Sequence, residues 1–264
     1  MKKLSFWIIA VLITLAAAFY QRMTGPTYPV RGKLHLAGSD VRFRLPRTAE
    51  TTGPRSIALE FPAPAEGFLE YKRYKTDDPW TRESLVRNDA GLIGFLPQQP
   101  AAGKLIYKVS IVADGKTTVL GGAEFVIIRF KDPVPLWLIL VHALVMFAGM
   151  LVSTAAGLAA LGKKRNPRPY ALLALAFLFI GGFILGPLVQ KFAFGVFWSG
   201  FPKGLDLTDN KTLISVLFWL AAVIAGRKGK PARAAVLIAS IVTFVVFIIP
   251  HSLAGSELKY TNPK

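Results

Sequence analysis

Two hydrophobic rhythms divide this chain. In five stretches, Leu4 to Tyr20, Leu136 to Leu161, Tyr170 to Val189, Thr212 to Ala225 and Ala234 to Pro250, the sequence is apolar almost without interruption and free of Asp, Glu, Lys and Arg. A helix crossing the ~30 Å hydrocarbon core needs about 20 such residues, so the pattern predicts membrane helices, the fourth so short that it extends into the loop before it. Between Thr27 and Asp132 the rhythm changes to short alternating runs. It predicts strands at Gly32 to Leu36, Val41 to Leu45, Ser56 to Phe61, Phe68 to Tyr74, Ser84 to Arg87, Leu92 to Leu96, Lys104 to Val112, Thr117 to Leu120 and Ala123 to Phe130. Turn-formers such as Thr52-Gly53-Pro54 and Asn88-Asp89-Ala90-Gly91 separate them.

Together these patterns predict an integral membrane α-helical bundle with an inserted all-β extracytoplasmic sandwich domain, immunoglobulin-like or fibronectin-like, because about 100 residues of evenly spaced short strands are what such sandwiches need. Residues 1–21 form a membrane anchor or signal peptide, 27–132 the sandwich and 134–264 a four-helix transmembrane bundle with an outer loop at 190–211. Lys2-Lys3, the apolar run and Ala16-Ala17-Ala18 also suit a cleavable signal. Tyr20 and Arg22 suit the interfacial end of a retained helix, which is the reading preferred here. Leu105, Tyr107, Val109 and Ile111 align as one core face of a strand. The segment from Tyr71 to Asp114 resembles sandwich modules in which a strand pair is followed by a proline-bearing turn and a tyrosine-containing strand, a resemblance that carries no functional residues.

Charge sets the expected orientation. Lys2, Lys3, Lys163, Lys164, Arg165, Arg168, Arg227, Lys228, Lys230 and Arg233 lie in alternate short loops with no acid among them, and cationic loops resist translocation. The N-terminus is therefore expected in the cytoplasm of a cell with an inner membrane, and residues 21–135 and the C-terminus on the periplasmic or extracellular side. More than half of the formal charge of +17 lies in those clusters, where topology and anionic lipid explain it; no recognition motif accompanies the charge, so nucleic acid is not an expected partner. Lys131-Asp132-Pro133-Val134-Pro135 is a stiff link that would hold the domain near the outer ends of the helices. Cysteine is absent, which removes thiol catalysis, iron–sulfur ligation and covalent haem attachment.

The candidate chemistry gathers in the segments expected outside. Gln190 to Pro202 packs five aromatics between small residues, as an interfacial segment does. Thr208 or Asp209 suits the N-cap of the next helix, leaving Asp206, Asp209 and Asn210 as more polar groups than one cap needs. These, with Trp198 and Glu257, are the ligand-binding candidates. His142 and His251 are the candidates for a divalent metal ion or bis-histidine haem b, although they differ in depth by about 9 Å at 1.5 Å per residue, and the first expectation for both is a structural role with no cofactor. Trp80 is expected to fold down over one end of the sandwich; Asp77 and Asp78 lack the alternation of a calcium loop. No nucleophile, base and oxyanion set is legible, and no charged residue lies mid-span, which disfavours ion-coupled transport. The leading functional expectation is a noncatalytic accessory or scaffold component of an envelope complex, in contact with membrane lipid and, through the outer domain, other envelope proteins. A haem- or metal-binding redox subunit and a small-solute transporter are the alternatives.

Overall fold

The computed structural model describes residues 3–36, 39–113, 115–122, 125–162, 164–227, 231–251, 255 and 257–260. The chain divides into two compact units: Met1–Pro26 with Val134–Ser256, which is helical, and Thr27–Pro133 with Glu257–Lys264, which is rich in strands.

The helical unit contains α1 (Lys3–Thr24), α2 (Leu136–Leu161), α3 (Arg168–Phe179), α4 (Gly186–Phe194), α5 (Leu207–Ala225) and α6 (Arg233–Ile248), with a π-helical turn at Ile180–Leu185 joining α3 to α4. Among the described residues four continuous helices are long and apolar enough to cross a membrane, namely Leu4–Thr24, Leu136–Leu161, Arg168–Phe194 and Leu207–Ala225, while α6 is an apolar helix of 16 residues. The π-turn has a local cause. Pro187 has no N–H to give Phe183, and its ring crowds that carbonyl; the register slips, and Gly186 N–H bonds to Gly181 O instead.

Burial in this unit is inverted relative to a water-soluble protein. Leu12, Leu144 and Ile241 are exposed, whereas Ala155, Ala156, Ala159 and Ala239 are buried, as expected where the surroundings are as apolar as leucine and small residues let backbones approach. Gly157 of α2 abuts Ser240 of α6, Gly149 abuts Leu178 of α3, and Gly182 abuts Thr212 of α5. Ser240 donates to the Ser153 carbonyl at 2.9 Å across the α2–α6 contact.

In the β-rich unit, β1 (Val30–Leu36) and β2 (Ser39–Leu45) form an antiparallel hairpin. The largest sheet centres on β9 (Lys104–Ala113), flanked by β5 (Glu66–Arg73) and β11 (Val126–Lys131), with β10 (Lys116–Val119) also on β9. Its edges are β3 (Thr48–Glu50), parallel to β11, and β6 (Thr81–Ser84), antiparallel to β5. A third sheet has the order β4 (Arg55–Leu59), β8 (Gly91–Leu96), β7 (Val86–Asn88). One core joins them: Leu69, Leu105, Tyr107, Val109, Ile111, Ile128 and Phe130 from the large sheet, Ile57, Leu59, Leu92 and Leu96 from the small one, and Leu45. Tyr107, fully buried, satisfies its hydroxyl on the Pro46 carbonyl at 2.7 Å.

Two strand expectations change. Ser84 to Arg87 is not one strand: the chain leaves the large sheet at Ser84 and enters the small one at Val86, with Leu85 buried between them. β3 is absent from the sequence reading because three residues hold no period and its partner lies about eighty residues on. Ala123 lies outside the described residues, and the last strand begins at Val126.

Candidate functional site

The α4–α5 connection builds the most polar part of the helical unit. Gly195, at φ 77°, closes α4 in the left-handed conformation that glycine adopts without strain. The cap of α5 is Asp206, not Thr208 or Asp209: its Oδ1 accepts from Thr208 N at 2.9 Å and from Asp209 N at 3.4 Å. Asp209, buried in the first turn, reaches back into the loop and accepts from Ser199 N at 2.7 Å and Gly200 N at 3.0 Å. Asn210 Oδ1 accepts from Phe201 N at 2.7 Å. Gly200 is required by this closure, since a Cβ there would lie 2.6 Å from Asp209 Cβ. The polar excess of this stretch is thus engaged in folding its own loop. Trp198 packs likewise, its Nε1 donating to Phe201 O at 3.0 Å and its ring stacked on Phe183 at 5.3 Å.

Lys211 lies inside α5 and is 4% exposed; its Nζ donates to the carbonyls of Ile249 at 2.7 Å and Pro250 at 3.3 Å, just past the end of α6. Gln21 of α1 donates to Phe247 O and Ile249 O at the same place. A helix end leaves four carbonyls without intrahelical donors, and here side chains of two other helices supply donors. Lys211 lies one turn into α5 rather than mid-span, and its burial was not legible in the sequence. The signal for its place in the helix was Asn210-Lys211-Thr212 running directly into an apolar segment that was too short without it.

Beside Lys211 is a cavity of about 20 Å³, room for one water-sized body. Gln21, Lys211, Thr208, Thr212, Ser215 and His251 bring polar groups to it, and Met146, Leu178, Val246 and Phe247 apolar ones. Ser215 and Thr243 share a hydrogen bond of 2.8 Å, and Trp219 Nε1 donates to Thr243 Oγ1 at 2.8 Å.

The histidines come to the same end of the unit. His142 of α2 bonds through Nδ1 to Gly181 O at 3.1 Å, on the π-turn. His251 follows α6, is exposed, and lies within electrostatic reach of Lys211, His142 and Asp206. Among the described residues no three His, Asp or Glu side chains gather as a metal-ligand set. Glu257 belongs to the other unit, where its carboxylate pairs with Lys104 at 2.6 Å and Lys75 at 2.8 Å.

The β-rich unit carries a second feature. Trp80 is not folded into the core; it is 38% exposed and stacks on Phe125, itself 48% exposed, with ring centroids 4.8 Å apart. Lys72 Nζ lies 5.6 Å and Lys108 Nζ 5.7 Å from the Trp80 ring centre. Arg82 stacks over Phe68 at 3.5 Å. The residues outward on β5 and β9 hold this patch, since Leu69, Leu105, Tyr107 and Val109 take the inward positions. Asp78, adjacent in the same loop, is engaged by Arg73 through two N–H donors at 2.5 and 2.8 Å. That pairing holds the Asp78 carboxyl down at about 2.

No family model, no curated protein and no solved structure matches this chain.

Proposed function

We propose that this protein is a noncatalytic subunit of the cell envelope whose β-rich unit, displayed on the outer side of the inner membrane, binds another envelope protein. The observation that carries this reading is the exposed Trp80–Phe125 stack ringed by Lys72 and Lys108. Two large rings left partly in water forgo burial that their own fold could have provided. Tryptophan is among the residue types that dominate binding energy at protein interfaces; Lys108 is already paired with Glu70 at 3.0 Å, so Lys72, bonded to the Thr76 carbonyl, is the cation that favours an acidic contact surface on the partner. The basic loops between the apolar helices support the orientation.

The test places a photo-crosslinking amino acid at position 80 in the full-length protein and irradiates it in its native membrane. A discrete adduct, reduced about tenfold or more when Phe125 is changed to alanine, supports the reading, a tenfold loss being 1.4 kcal/mol of binding. Absence of any adduct at positions 80, 72 and 108 overturns it. Orientation is tested separately: single cysteines placed at Thr117 and Arg165 are readily interpreted because the natural chain has none. An impermeant maleimide should label position 117 in intact cells with a permeabilised outer layer, and position 165 only after lysis.

A further inference from the structure

We propose that the cavity beside Lys211 is a binding site for a single monatomic anion, a halide such as chloride, held by the Lys211 ammonium and the Ser215 hydroxyl. The cavity and all of its lining lie within the helical unit.

An ammonium withdrawn from water costs several kcal/mol unless compensated. Lys211 Nζ has three N–H donors, and two are directed at the Ile249 and Pro250 carbonyls. Among the described residues no carboxylate lies within ion-pairing distance of it. Asp206, whose charge it senses, gives Oδ1 to the amides of Thr208 and Asp209, and Asp209 is spent on Ser199 and Gly200. Gln21 also lines the cavity, its Nε2 held to the Phe247 and Ile249 carbonyls, and His251 lines it from an exposed position.

The Trp219 indole can only donate, and it donates to Thr243 Oγ1. Thr243 and Ser215 share a hydrogen bond of 2.8 Å that either hydroxyl can donate; with Thr243 as donor, the Ser215 proton is available to the cavity that Ser215 lines. In that arrangement the Lys211 ammonium and the Ser215 hydroxyl both offer protons to an acceptor in the cavity. A volume of about 20 Å³ admits one water-sized body and excludes phosphate, sulfate or a carboxylate. A halide satisfies donors, size and charge together, whereas water leaves the charge uncompensated.

The experiment compares the purified full-length protein in chloride and in gluconate, which is too large to enter, at constant ionic strength. The expected result is a rise in Tm of roughly 3 °C for each tenfold increase in chloride above its Kd. The slope should vanish in Lys211→Met, and Ser215→Ala should weaken halide affinity about tenfold. Crystals grown in bromide should show an anomalous peak within hydrogen-bonding distance of Lys211 Nζ, a readout that stands even if the lysine variant fails to fold. Equal Tm in both salts, or no bromide at that position, overturns the proposal and leaves the cavity to water.

Discussion

Asp209 shows how a residue that reads as chemistry becomes architecture. Its carboxylate holds the amides of Ser199 and Gly200, which have no strand or helix to join, and an unsatisfied buried amide costs about 1–3 kcal/mol. Asp209→Ala is expected to loosen the loop, read out as tryptic cleavage at Lys203 at least tenfold faster than in the natural protein, with Asp209→Asn retaining most of the protection because its amide oxygen still accepts. Unchanged cleavage in the alanine variant would show that the loop stands without this anchor. Asp78 makes an electrostatic prediction of the same kind. Its carboxyl is held at about 2 when folded, against about 3.9 for an unfolded aspartate. The sign follows: the pairing with Arg73 stabilises fully above roughly pH 4, and the contribution is lost as pH falls through 2. An acid titration of unfolding in the natural chain and in Asp78→Asn, which leaves Arg73 on the Tyr260 ring, should differ most above pH 4, with the difference shrinking as pH falls toward 2.

At the scale of elements, polar side chains of one segment complete the carbonyl ends of another. Lys211 and Gln21 do so for the residues ending α6; Arg233, the first residue of α6, does so for α2 through Ala159 O at 2.8 Å and Ala160 O at 3.4 Å. The apolar runs were legible because a membrane helix requires length and uniformity, and Leu136–Leu161 coincides with the expectation residue for residue. The core face Leu105, Tyr107, Val109 and Ile111 was legible for the complementary reason, a strict period of two. What escaped depends on partners distant in sequence. Three-residue β3 exists only because β11 pairs with it, Lys211 is buried only because the end of α6 needs donors, and Trp80 stays exposed because Phe125, remote in the chain, supplies its stacking face. Glycine spacing was legible as close packing, and the structure gives it a magnitude. A Cβ at Gly157 would lie 2.3 Å from Ser240 Oγ, so Gly157→Ala should destabilise by about 1–3 kcal/mol through overpacking. Adding Ser240→Ala removes the clashing oxygen along with its bond to Ser153 O. Thermal unfolding of the pair should therefore recover part of the loss, and strictly additive effects would argue against contact at this crossing.

At the scale of the whole molecule, the chain passes between its two units three times: after Pro26, after Pro133 and after Ser256. The third passage returns residues 257–260 to the β-rich unit, where they are held by several distinct contacts. Tyr260 Oη accepts from Lys104 N at 3.0 Å and donates to Gln99 Oε1 at 3.0 Å, Arg73 stacks over the Tyr260 ring at 5.0 Å, and Leu258 N donates to Ala102 O at 3.2 Å. Glu257 adds its pairs with Lys104 and Lys75. Partial burial alone would raise the Glu257 carboxyl, but hydrogen bonds from the two lysines prevail and hold it below its usual range. Its contribution is therefore complete above the unfolded glutamate value of about 4.3 and fades as pH falls through the lower folded one. The ring and hydroxyl of Tyr260 carry no such dependence at acid pH, so the two halves of the attachment are separable. Tyr260→Phe keeps the stack and removes the hydroxyl, at a cost of about 1 kcal/mol that should not vary across the acid range, whereas Glu257→Gln should weaken the attachment at pH 7 by an amount that shrinks as pH falls below about 4.3. Hydrogen exchange at the Leu258 amide in the full-length protein reads both variants. No loss in Glu257→Gln at pH 7 would show that the lysine pairs do not hold the tail, and leave Tyr260 as its fastening.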